Sequence, residues 1–210
     1  MEYSRLLLEP DGRLISIDVK CFTFINIYAP SGKQAKNERN NFLCQTVPAY
    51  SVATRLPFVL MGDFNRVDDI QDRANIPPLP VPCSVVSYAS KEMVTGLDLV
   101  DIWKKLNHCK PGHTFHYHSG SSRLDRIYAS RSFADKFLNI SLQSLSISDH
   151  QRRLSEIRTN FIQESASHLL REKHVANWWE SVLKPGIKRI SVDYSRKKAI
   201  HIRETKFYLF

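Results

Sequence analysis

The sequence predicts an α+β chain with a helical C-terminal tail, and three patterns carry that expectation. Apolar residues recur with a period of two over 13–19 and 22–28, and the apolar run at 58–61 has the length of a buried strand. Between them Phe42, Leu43, Val47 and Tyr50 form a helix-spaced stripe. Over 161–206 the apolar spacing is helical rather than alternating. A chain of 210 residues with 42% hydrophobic content can bury one sizeable core, which suits one domain with an appendage.

Composition narrows the setting. No apolar run approaches the roughly 20 residues of a membrane span, and residues 1–10 lack a secretory pattern, so an intracellular protein without a membrane partner is expected. Cys21, Cys44, Cys83 and Cys109 are widely spaced with no Cys-x-x-Cys pair, so reduced thiols are expected rather than a disulfide framework or zinc knuckle. The net charge of +9 is uneven: residues 1–150 carry 17 Lys and Arg against 15 Asp and Glu, and residues 151–210 carry 13 against 6. The basic tail suits a polyanion such as nucleic acid, and equally a solvated basic helix.

In chain order, Pro10, Asp11 and Gly12 separate Arg5–Glu9 from Arg13–Val19, a hairpin pattern. Over Phe22–Tyr28, residues Phe22, Phe24, Asn26 and Tyr28 share one face and Thr23, Ile25 and Ile27 the other. Tyr28 therefore stands at a strand end, where its phenol can donate to a ligand oxygen or simply line the rim. Gln34–Thr54 reads as a sheet-covering helix that Pro48 should kink or shorten. Phe58–Met61 reads as a buried strand stopped by Gly62, after which Asp63 and Asn65 leave on one face and offer hard oxygens to a divalent cation. Alone, such an Asp-x-Asn is equally a polar turn. Arg66–Pro82, acidic and then proline-rich, reads as a surface loop without regular structure.

Val85–Met93 reads as a short helix, and the segment 96–103 as one that packs Leu97, Val100 and Trp103 inward. His113–His118 alternates like a strand, with His116 and His118 on the face of Thr114; three histidines near Cys109 raise zinc, but their spacing matches no familiar zinc site. Arg123–Ala129 reads as a strand with Leu124 and Arg126 facing one way and Arg123, Asp125 and Ile127 the other. Asp125 is thus an acid in an apolar strand, which demands a partner. Ile140–Ile147 is the next strand and runs into Ser148, Asp149 and His150. In the tail, Ile162, Ala166, Leu169, Val175, Trp178 and Val182 make a helical stripe, and Pro185 and Gly186 break it before a second, basic helix. Such a helical pair needs a partner to bury Trp178 and Trp179.

Four motifs follow one another: Tyr28-Ala29-Pro30, Gly62-Asp63-Phe64-Asn65, Ser122-Arg123-Leu124-Asp125-Arg126-Ile127-Tyr128, and Ser148-Asp149-His150. In this order they resemble the endonuclease/exonuclease/phosphatase superfamily. The Arg123–Tyr128 string, the Asp72-Arg73 pair and the Leu99–Trp103 run most resemble the apurinic-type endonuclease domain of non-LTR (LINE-like) retrotransposon proteins. The resemblance covers roughly residues 5–150 and implies a partial four-layered α/β sandwich, two mainly antiparallel sheets flanked by helices, with 151–210 similar to the linker to a reverse transcriptase.

The same resemblance implies a Mg²⁺- or Mn²⁺-dependent endonuclease that nicks DNA, nuclear if it acts on genomic DNA. It implies that Asp63 orients or deprotonates the attacking water, Asn65 holds water and phosphate, and Tyr28 hydrogen-bonds a phosphate oxygen. Asp125 would orient His150, His150 would stabilise the pentavalent phosphorane, Asp149 would lie beside the metal, and Thr114 near the DNA. These roles meet the physical need of phosphodiester hydrolysis for an activated water, a counter-charge and an oriented imidazole. Two features depart from the family pattern. The strand bearing an Asn and the strand ending in a metal-binding Glu have no counterpart, so an N-terminally truncated fragment that nicks weakly is expected, with the N-terminal half and a reverse transcriptase portion of a longer protein as its partners. The segment Gln151–Arg158, where an apolar closing strand belongs, is polar and reads as irregular. The competing readings are a related phosphatase or DNA-repair nuclease on the same fold, and a non-catalytic nucleic-acid-binding remnant.

Overall fold

In the computed structural model, which describes residues 5–19, 21–75, 78, 80, 88–108, 110–143 and 152–157, the first hairpin forms as its alternation requires. β1 (Arg5–Leu8) pairs antiparallel with β2 (Leu14–Val19), and β2 with β3 (Phe22–Tyr28). A helical crossover then returns the chain so that β4 (Phe58–Asp63) lies parallel to β3. That crossover is continuous, α1 (Lys36–Asn41), a π-helical turn (Phe42–Thr46) and α2 (Val47–Val52). Pro48 has no N–H to donate to the Cys44 carbonyl, and its ring would clash there in an ideal α-helix. The widened turn, in which the Val47 N–H reaches the Phe42 carbonyl, absorbs that conflict, so the expected kink becomes a π-bulge.

β4 runs two residues past the expected stop. Gly62 sits at φ 132°, and a Cβ there would lie 2.0 Å from the Ile27 carbonyl oxygen, so only glycine lets β4 stay against β3 as far as Asp63. After a 3₁₀ turn (Ile70–Asp72) comes β5 (Arg73–Asn75), then α3 (Tyr88–Gly96), β6 (Leu99–Asp101) and α4 (Ile102–Asn107). The region read as an unstructured surface loop thus contains a 3₁₀ turn and a strand. β7 (Phe115–Tyr117) and β8 (Gly120–Ser122) form a hairpin, followed by β9 (Asp125–Ser130), a short helix α5 (Arg131–Ala134) and β10 (Phe137–Gln143). β10 begins three residues before the expected strand. β11 (Arg152–Ile157) pairs antiparallel with it, so a strand forms where the polar sequence reads as irregular. Backbone pairing satisfies the N–H and C=O groups whatever the side chains.

The central sheet has six strands in the order β1-β2-β3-β4-β9-β6, and the β3–β4 pair is its parallel one. A three-stranded sheet, β5-β8-β7, and the β10–β11 pair complete the described strands. Alternation along the central strands sends side chains to two cores. Phe22, Phe24, Val59, Met61, Ile127 and Ala129 pack with Trp103, Phe133, Phe137 and Ile140 on one face. Ile25, Ile27, Phe58, Leu60 and Tyr128 pack with Phe42, Leu43, Val47 and Met93 on the other. Covering both faces makes the middle of the sheet rigid, since each fully buried aliphatic or aromatic side chain contributes about 1.5–3 kcal/mol. The strand ends are what this frame leaves available for chemistry. Among the described residues no helix is long and apolar enough to cross a membrane, and Cys21 and Cys44 are free thiols. The expected tail helices over 161–206 lie outside the described residues.

Candidate active site

Three strands end in step. β3 and β4 place Tyr28 opposite Asp63, and β4 and β9 place Asp63 opposite Asp125. Residues directly opposed across strands point to the same face, with Cα atoms about 5 Å apart, so Tyr28, Asp63 and Asp125 form one row along the sheet's edge. The row lies on the face of Phe24, Met61 and Ile127, whose side chains form the floor behind it. Asp63 and Asp125 are half-buried, while Tyr28 is 51% exposed, so a ligand can reach the phenol without moving the sheet.

Asn65 joins the row through its backbone. At φ 49° it takes the left-handed conformation that asparagine tolerates, and its N–H donates to Asp63 Oδ1 at 2.8 Å. Its Nδ2 donates to the Ala29 carbonyl at 2.8 Å, while the Ala29 N–H donates to the Asp63 carbonyl at 2.8 Å. The Asp-x-Asn pair is therefore a turn that also joins the row, and the turn is what aims the carboxylate.

Thr114 is fully buried. Its Oγ1 accepts from the backbone N–H groups of Leu124 and Asp125 at 3.1 and 3.0 Å, which fixes the start of β9 and hence the place of Asp125. His116 and His118 are exposed, and only Phe115–Tyr117 of the expected strand is extended, so the shared face with Thr114 does not form. Among the described residues no three His, Cys, Asp or Glu side chains gather to hold a metal ion. The row offers the hard carboxylate oxygens a divalent cation takes, so it fits such an ion in donor chemistry and not in number. Asp149 and His150, which fall in sequence between β10 and β11, lie outside the described residues.

Beneath this edge lies a charge network, part of which belongs to the segment expected to be a surface loop. Arg126 is 1% exposed, with Nε 3.1 Å from Asp68 and Nη2 3.2 Å from Asp72. Arg123, equally buried, reaches Asp72 at 2.6 Å and Asp101 at 2.7 Å, and Arg66 reaches Asp68 at 3.0 Å. Three guanidiniums thus meet three carboxylates, and the Tyr128 hydroxyl donates to Asp68 at 2.6 Å. Burial pushes Asp68 up, but Arg126, Arg66 and the Tyr128 hydroxyl more than offset it and leave its carboxyl at about 2. Asp72 is also held below the carboxylate range: burial raises it, and Arg126 and Arg123 outweigh that. Burial lowers Arg66 to about 10 despite Asp68. The network ties the loop after Asn65 to β9, since Arg126 also donates to the Arg66 carbonyl at 2.9 Å.

The expectation that Arg123 and Arg126 face opposite ways fails because Arg123 precedes the strand and both reach Asp72. Over residues 66–75 the reading as a surface loop fails, because Arg66, Asp68 and Asp72 are buried. The signal is present in the sequence: two arginines beside an apolar strand need carboxylates, as an acid such as Asp125 in that strand needs a partner.

The Endonuclease/Exonuclease/phosphatase family pattern matches residues 12–150. Among curated proteins, the transposon TX1 uncharacterized 149 kDa protein of Xenopus laevis is 28% identical over 149 residues, 66% of this chain but only 11% of that protein's length. Among solved structures, an AP endonuclease from Archaeoglobus fulgidus superposes with a TM-score of 0.61 at 18% identity, covering 74% of this chain and 71% of that one. The 3′ phosphatase NExo from Neisseria, bound to product DNA hairpin, gives 0.59 at 19% identity with the same coverage. The fold of the described strands is the mixed-sheet sandwich shared by these structures.

Proposed function

The chain belongs to the endonuclease/exonuclease/phosphatase family, and on that premise we propose that it hydrolyses phosphodiester bonds in DNA as a metal-dependent nicking endonuclease of the retrotransposon type. The in-register row of Tyr28, Asp63 and Asp125 carries the reading, because it sets two carboxylates and a phenol side by side at the open end of a rigid sheet. The transposon relative and the DNA-bound phosphatase of the same fold support DNA as the substrate class.

In this reading Asp63 takes the proton of a water whose oxygen bonds to phosphorus as one ester P–O bond breaks. Asn65 holds the water and a phosphate oxygen, and Tyr28 donates to another. Asp125 orients the imidazole of His150, which stabilises the negative charge on the oxygens of the pentavalent phosphorane. Thr114, which the resemblance sets near the DNA, is itself buried, so in this reading it acts from beneath, by fixing the backbone of Asp125. A divalent cation, Mg²⁺ or Mn²⁺, would be held by Asp149 with help from the row, and it would supply counter-charge for the developing oxyanions.

The test compares nicking of supercoiled plasmid with phosphate release from soluble phosphoesters, each with Mg²⁺ or with chelator. Slow, Mg²⁺-dependent nicking that vanishes in His150→Ala is expected. Phosphate release without nicking would favour the related phosphatase, and neither activity alongside retained DNA binding would favour a non-catalytic remnant.

A further inference from the structure

The chain that leaves β3 carries Tyr28 into the site and then turns away, and three consecutive interactions grip it. Asn65 Nδ2 holds the Ala29 carbonyl at 2.8 Å. One residue further on, Arg39 of α1 donates from Nη1 to the Pro30 carbonyl at 2.8 Å and to the Gly32 carbonyl at 3.2 Å. On the near side, the Tyr28 N–H donates to the Arg13 carbonyl at 2.8 Å. The backbone on either side of the exposed phenol is thus anchored, and the outer anchor is a single half-buried guanidinium. Burial lowers the Arg39 guanidinium, and arginine as a side chain type remains a charged donor in proteins. A charged donor to two carbonyls is stronger than neutral pairing, and the planar fork keeps its direction.

Resting on the nuclease reading above, we propose that Arg39 is a positioning residue for the site: by gripping the Pro30–Gly32 segment it sets where the Tyr28 phenol stands in the row with Asp63 and Asp125. Arg39 does not touch substrate in this account. It acts through Tyr28, so its effect should disappear when the phenol hydroxyl is removed.

The experiment is a double-mutant cycle in plasmid nicking, with Arg39→Met made in the native chain and in Tyr28→Phe. Arg39→Met should lower kcat/KM by between about 10- and 100-fold in the native background, the range a misplaced contact produces, and by less than about twofold in Tyr28→Phe. Arg39→Lys, whose ammonium can keep one carbonyl, should recover part of the loss. A second readout does not depend on activity. With 3-fluorotyrosine incorporated, the ¹⁹F resonance assigned to position 28 by its loss in Tyr28→Phe should shift and broaden in Arg39→Met while the melting curve stays cooperative. Equal losses in both backgrounds, or an unmoved ¹⁹F signal, would overturn the positioning role. Failure of the nuclease reading would look different: nicking that survives Asp63→Asn, or no nicking by any variant, with the ¹⁹F shift still deciding whether Arg39 places the phenol.

Discussion

At the residue scale, Asn65 does two jobs that can be separated. Its backbone needs a left-handed conformation, and the proposed chemistry needs its carboxamide. Glycine supplies the first without the second, so Asn65→Gly should melt within about 1 kcal/mol of the native chain yet lose nicking. Asn65→Ala should lose nicking and melt lower by a further 1 kcal/mol or so, because a Cβ disfavours that conformation. Native activity in Asn65→Gly would remove the carboxamide from the chemistry. Gly62 makes the opposite case, a position that matters only through space. A Cβ there meets the Ile27 carbonyl oxygen at 2.0 Å, so Gly62→Ala should cost about 3 kcal/mol in thermal or denaturant melting and pull Asp63 out of line with Tyr28. Both residues were visible in the sequence as punctuation after an apolar run. Their spatial reason was not, because Ile27 lies 35 positions earlier and meets Gly62 only through the parallel pairing.

At the element scale, β9 is held from two sides. Asp125 faces the site, while Arg126 turns inward to Asp68 and Asp72, and the 5.8 Å stack of its guanidinium on Phe64 closes that contact. Arg126→Met would leave two buried carboxylates short of a counter-charge, so it should cost about 3–5 kcal/mol, measured by urea melting. The strands themselves were legible because period two is a strong signal where each face is covered, and Phe22–Tyr28 divides its side chains between the two cores as alternation requires. The polar partners were not legible. Asp68 and Asp72 look like loop residues until Arg126 of β9 and Arg123 just before it reach them from more than 50 positions away. β11 was missed for a related reason, since its polar sequence carries no apolar alternation and its strand state comes from pairing with β10.

At the scale of the whole molecule, the buried network makes folding sensitive to acid. Asp68 titrates at about 2 in the folded chain against 3.8 for an ordinary aspartate, and Asp72 is lowered in the same direction. A depressed carboxyl stabilises the fold above its unfolded pKa and loses that contribution as pH falls through the folded one. Stability should therefore hold from neutral pH to about 4 and fall between about 4 and 2, with Asp68 alone contributing about 2 kcal/mol. Far-UV circular dichroism through urea melts at each pH checks this, and a stability that stays flat down to pH 2 would contradict it.

The frame and the site meet where β3, β4 and β9 end together, and the account stands on those ends acting as one catalytic unit. Single-turnover nicking of supercoiled plasmid by Asp63→Asn, Asp125→Asn and the double variant measures this most directly. Each single change should lower the rate by about 10³-fold, and the double should be no worse than about threefold below the slower single, because members of one unit fail together. Losses that multiply in the double variant, or a native rate in either single, would contradict the claim that the row is the site.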